Sequence, residues 1–257
     1  MQTDLQADIQ KANMWRRGAA WALDLILLAV IAAGMMFLLS SVLNYDRYST
    51  LVNDAYLHYE EEYGVTFELT PEEYMAMSAE EQQNWDIAYD ALVNDPEAMQ
   101  AYRMTVNLIL IMTTGGILVA TILLQIVVPL LLKNGQSIGK KAFGLGVIRQ
   151  DGVKMNTLQL FVRAILGQFT IETMIPVYIV LMILWGTIGL IGPGILLILL
   201  VAQCICMRMS LNNSAIHDLI SGTVVVDLAM QKVFNSSEEL LEYTKKLHAE
   251  RAARQDY

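Results

Sequence analysis

Asp24 is an acid inside a run of apolar residues, and the chemistry of this sequence begins there. The run from Ala19 to Leu43 holds 25 residues and no other charge. An ionised carboxylate deep in a bilayer-spanning helix costs roughly 2.5–3.5 kcal/mol on insertion scales, so it needs a partner or a task. Arg17 lies seven residues earlier, two helical turns and about 10.5 Å along the same face. A second acid, Asp218, follows His217 just after another apolar tract, and it is expected to approach the inner end of the first span, where Arg17 sits. Two buried carboxylates tuned by an arginine can exchange a proton for a small cation. The same three charges equally suit a buried ionic clamp between helices. His217, Gln125, Arg163 and Gln203 are the accessory polar groups.

Other constellations lead nowhere. Gly135-Gln-Ser-Ile-Gly139-Lys140-Lys141 has three residues between its glycines, where a phosphate-binding loop needs four, and Lys141 stands where that loop needs a hydroxyl. Its bases, with Lys133, are better placed to meet anionic lipid headgroups. Cys204 and Cys206 are two apart on a predicted helix and point in different directions. His58, His217 and His248 are too scattered for a metal cluster. Glu60-Glu61-Glu62 lacks the alternating ligands and central glycine of a calcium loop. The sequence predicts no catalytic residue, metal, cofactor or nucleic-acid partner. The chain reads as a non-enzyme.

These polar groups must be positioned by membrane helices. Of 257 residues, 55% are hydrophobic and 17% charged, with a mean hydropathy of +0.42. A soluble domain carries nearer a quarter charged residues. The net charge of −9 is unevenly shared: Asn44 to Arg103 holds 14 acids against two bases, a local balance of −12, and the remainder is +3. Such segregation is expected of a chain divided between two sides of a bilayer, with Lys and Arg kept inside.

The first transmembrane helix is predicted over 14–43 and the second over 104–132, each with the roughly 20 apolar residues a span requires. The tract 173–209 is too long for one ordinary span. Gly192-Pro193-Gly194 is a turn signal within it, giving two short helices near 174–191 and 195–209, with one kinked span as the alternative. Four spans put both termini in the cytoplasm with 15 of the 17 bases. The 25-residue apolar run exceeds a signal-peptide core and contains an acid, so cleavage is not expected.

Residues 44–103 form an acidic insert with helix starts at Thr70-Pro71-Glu72-Glu73, Ser78-Ala-Glu-Glu81 and Asp95-Pro96-Glu97, which predicts an all-helical outer cap. Residues 133–172 form a basic, glycine-rich inner loop. Asp151-Gly152 suggests a hairpin there, to which Thr223 to Val226 could add a strand. Leu158, Phe161, Val162, Ile165, Leu166 and Phe169 then predict an amphipathic helix in the interface plane. In 210–257, Ser214 is the predicted cap of a short helix around His217-Asp218, and Ser236 starts a charged helical tail.

Taken together, Arg17 and Asp24 in RRGAAWALD, the inner GQSIGKKAFGLGVIRQDG, Arg163 and IHDLISGTVVV resemble the RDD family of membrane proteins. The resemblance covers residues 14–43 and 104–228. It implies that Arg17, Asp24 and Asp218 are the arginine and two aspartates for which that family is named. The acidic insert and the charged tail depart from the pattern. The family is associated with transport of unidentified ligands, with cation/proton antiport suggested for some members, while others look like scaffolds. The fold expected is an all-α polytopic membrane protein: a four-span bundle with an extracytoplasmic helical cap and a small cytoplasmic β-hairpin. The partners expected are the lipid bilayer, a proton or small cation, and a second copy or another membrane protein. The location expected is a bacterial plasma membrane.

Overall fold

A computed structural model of the chain describes residues 9–132, 135–179, 191–210 and 212–255. Its elements are α1 (Met14–Val42), α2 (Tyr45–Tyr63), α3 (Pro71–Ala76), α4 (Ala79–Asn94) and α5 (Pro96–Ile122). The helix then passes through a wider π turn, Leu123–Val127, into α6 (Val128–Leu132). There follow α7 (Ile138–Ala142), β1 (Leu145–Arg149) and α8 (Thr157–Phe161), which leads into a second π segment, Val162–Glu172. The chain continues with α9 (Ile191–Met209), α10 (Ile216–Ser221), β2 (Thr223–Asp227) and α11 (Ser237–Gln255). The protein is mostly helical, with one small two-stranded antiparallel sheet.

Two described helices are long and apolar enough to cross a membrane: Met14–Val42 and the continuous helix Pro96–Leu132. Along the first, Trp21, Ile26, Val30, Phe37 and Val42 are each more than half exposed. Large apolar side chains exposed around the helix suit contact with hydrocarbon. The expectation of four spans goes beyond this. Most of the first predicted short helix, residues 180–190, lies outside the described residues. The predicted turn at Gly192-Pro193-Gly194 is overturned, because these residues lie inside α9.

The chain forms two compact units, residues 32–116 and residues 1–31 with 117–257. In the first, capping boxes start α3 and α4: Thr70 Oγ1 accepts from Glu73 N, and Ser78 Oγ from Glu81 N, with each glutamate returning to its cap. Asp95 Oδ1 accepts from Glu97 N at 2.8 Å and so starts α5. Phe67 packs edge-on against Tyr56, Trp85 and Tyr89, and Trp85 stacks on Tyr89 at 5.2 Å.

In the second unit the predicted hairpin is corrected. β1 pairs with β2, 78 residues later, in register Leu145↔Asp227 to Arg149↔Thr223. The tight turn at Asp151-Gly152 adds only an isolated bridge, Ile148↔Lys154. Leu145, Val147, Ile148, Val224, Val225 and Val226 are buried in the two strands together with Gly146 and Thr223, and β-branched residues suit such a small, doubly covered sheet. The amino-terminal segment closes the other edge through Lys11↔Val226.

The interfacial helix is also wound differently from the prediction. Only Thr157–Phe161 is α-helical, and Val162–Glu172 has π winding. Leu158, Phe161 and Leu166 are exposed, whereas Arg163 is buried at 3% exposure. Leu160, Ala164 and Phe169 are buried beside it, so the segment sends apolar groups both outward and inward while its charge points in.

Candidate functional site

Asp218 sits in the first turn of α10 and is completely buried. The helix is capped by this acid and not by Ser214: Asp218 Oδ2 accepts from the main-chain N–H of Ala215 at 3.1 Å, so the cap position falls one residue later than predicted. Arg17 reaches the same oxygen from α1 at 3.1 Å and donates to the carbonyl of Asn213 at 2.5 Å. Arg163 donates to the other carboxylate oxygen and to Thr223 Oγ1 at 3.0 Å. One acid therefore ties together α1, the π segment, α10 and β2. Burial alone would push its carboxyl up. The guanidinium groups of Arg163 and Arg17 override that and hold it well below the usual carboxylate range.

His217 extends the cluster. Arg163 Nη2 lies 2.8 Å from His217 Nε2. A guanidinium can only donate, so Nε2 must accept, and the ring proton sits on Nδ1. Nδ1 then donates to Glu172 Oε1 at 2.6 Å. The same oxygen accepts from Gln203 Nε2 at 3.0 Å, and Gln203 Oε1 accepts from Ile216 N at 3.0 Å. Burial works to raise the Glu172 carboxyl, but hydrogen bonds from the His217 ring and main chain and from Gln203 bring it below its ordinary range.

The π winding explains how this is assembled. Arg163 and Glu172 are nine residues apart, two and a half turns of an α-helix, which would set them on opposite faces. In π winding, with its i to i+5 bonds, nine residues make about two turns. Both side chains then face α10, to which Gly167 also gives close access. A Cβ on Gly167 would meet His217 Cβ at 2.6 Å.

Asp24 belongs to a different cluster. It is 5% exposed and accepts from Ser137 Oγ at 2.5 Å and from the N–H of Gly139 at 2.8 Å. Lys140 Nζ lies 3.6 Å from the Asp24 carboxylate and 3.1 Å from Ser137 Oγ. Gly139 permits this approach, since a Cβ there would lie 2.2 Å from the carbonyl oxygen of Ala20. Burial lowers the Lys140 ammonium to about 8, helped by Arg163, although Asp24 pulls it upward. Lys140 is therefore turned inward, away from the headgroup position expected of it. Lys141 is exposed, and Lys133 lies outside the described residues.

A profile of the RDD family matches residues 11–222. This chain belongs to the RDD family. No curated protein and no solved structure matches it. The matched region contains Arg17, Asp24 and Asp218, but in this RDD chain they do not meet as one triad. Arg17 pairs with Asp218, and Asp24 pairs with Lys140. The clusters still share a field, because Lys140 responds to Arg17, Arg163 and Asp218.

Arg163, His217 and Gln203 all join the Asp218 cluster. Gln125 lies half-buried in the first π turn with no hydrogen bond to a described residue. Sequence reasoning missed Ser137, Gly139 and Glu172. The first two stood inside a rejected phosphate loop, and Glu172 was hidden by assuming α-helical periodicity. It also missed Arg16, which bonds Asp227 and the carbonyl of Phe143. Among the described residues no group of three or more His, Cys, Asp and Glu is arranged to hold a metal.

Proposed function

We propose that this RDD protein is a multi-pass membrane protein that exchanges a proton for a small cation at the Asp24–Lys140 pair. The observation that carries the reading is the unequal pairing of the two aspartates. Asp218 is held by two arginines, which never release their protons, so it serves as a clamp. Asp24 has a lysine as its charged partner, and a lysine can release one. When Lys140 gives up its proton, the Asp24 carboxylate and Ser137 Oγ are free to take a small cation, and the site's charge is unchanged. The reading is non-enzymatic, and it places both termini in the cytoplasm of a bacterial plasma membrane. A second copy would supply further helices for a pathway.

Purified protein in liposomes, with an internal pH dye and an imposed sodium or potassium gradient, tests this. Cation-dependent proton movement should rise as pH passes upward through about 8, where Lys140 loses its proton. Asp24→Asn and Lys140→Gln should abolish it in folded protein. A flat trace from folded, oriented wild-type protein overturns transport. That outcome favours a second reading, a membrane scaffold, which draws its support from the saturated Asp218 cluster.

A further inference from the structure

A groove in the acidic unit plays no part in the exchange site. Its walls come from α2, α4 and the first turns of α5, and its lining includes Tyr56, Tyr89, Tyr102, Leu92 and Met99. Leu92 is buried at the floor, while the three tyrosine rings are exposed at the rim. All three tyrosines line the one groove. Burial pushes the Tyr56 hydroxyl up, and the neighbouring Tyr89 and Tyr102 add to the effect. Stacking on Trp85 and edge contact with Phe67 hold Tyr89 in place, so the rim is preorganised. An apolar floor beneath a few convergent polar groups is the ordinary composition of a recognition site.

The charge around the groove selects its occupant. Asp54, Asp90 and Glu97 are exposed and lie next in sequence to the lining residues Ala55, Tyr89 and Ala98, which puts negative charge on the surface around the groove. The surrounding segment has a local balance of −12. A second copy would bring the same negative surface, and an anionic leaflet would be repelled as well. We propose that this groove receives a basic, amphipathic helical segment of a partner protein, with apolar side chains on Leu92 and Met99 and lysines or arginines toward the surrounding acidic surface. Tyrosine faces suit such flanking cations.

The test uses the full chain in neutral phosphatidylcholine nanodiscs, titrated with a fluorescent Leu/Lys amphipathic peptide and followed by anisotropy. Saturable binding is expected beyond that of empty nanodiscs. Tyr102→Ala should weaken it about tenfold, as loss of an aromatic anchor does. The surface variant Asp90→Lys/Glu97→Lys, which touches no core residue, should weaken it at least as much, and a Leu/Glu peptide should not bind. Equal binding by wild type and both variants, equal binding of the Leu/Glu peptide, or no binding to folded protein would each overturn the proposal.

Discussion

The two aspartates differ in what holds them, and that difference makes their energetics separable. Removing one partner of a buried ion pair costs about 3–5 kcal/mol, because the other charge stays behind uncompensated. A double-mutant cycle on thermal stability should therefore show coupling of about 1–3 kcal/mol between Asp24→Asn and Lys140→Met. The cycle combining Asp24→Asn with Arg17→Met should show coupling below about 1 kcal/mol, since those side chains make no direct contact and share only the field at Lys140. Strong coupling in the second cycle would restore a single triad. The sequence made both acids conspicuous, since each interrupts or borders an apolar tract. It could not tell which cation answered which acid. Seven-residue spacing placed Arg17 and Asp24 on one face, but a helix face also looks outward, and Arg17 finds Asp218 some 200 residues on.

Helix ends and apolar lengths were legible in the same way. The boxes at Thr70 and Ser78 form as their spacing predicts, because a capping box is satisfied within four residues, while at Ser236 the hydroxyl accepts from Glu239 N and the Glu239 carboxylate returns to Asn235. What failed was anything whose cause lies elsewhere in the chain. The long π segment is stabilised by α10, and no local periodicity announces it. The pairing of β1 with β2 likewise depends on a distant partner. Gly139 is the sharpest instance at this scale, a glycine needed because α7 abuts α1. Gly139→Ala should destabilise the protein by on the order of 1–3 kcal/mol through overpacking against the Ala20 carbonyl. Gly18→Ala, in open space on α1, should be neutral or gain up to about 1 kcal/mol of helix propensity. Thermal unfolding of both variants in one detergent checks the contrast, and equal losses would refute it.

At the scale of the whole molecule, charge predicts sidedness. On the proposed multi-pass reading, the bias toward basic cytoplasmic loops puts the acidic segment 44–103 outside and most bases inside. In a background lacking Cys204 and Cys206, Asn53→Cys should react with an impermeant maleimide on intact cells. Gln150→Cys should react only after permeabilisation, and the reverse pattern would invert the topology. The closure of the sheet carries a further consequence, concerning time. Translation delivers about 5–20 residues per second, so β1 waits several seconds for β2. Within that interval, Asp218 follows Arg163 by 55 residues, so for several seconds Arg17 and Arg163 exist without it. A nascent chain thus carries two unanswered guanidinium groups beside its apolar helices until α10 emerges with the acid that neutralises them.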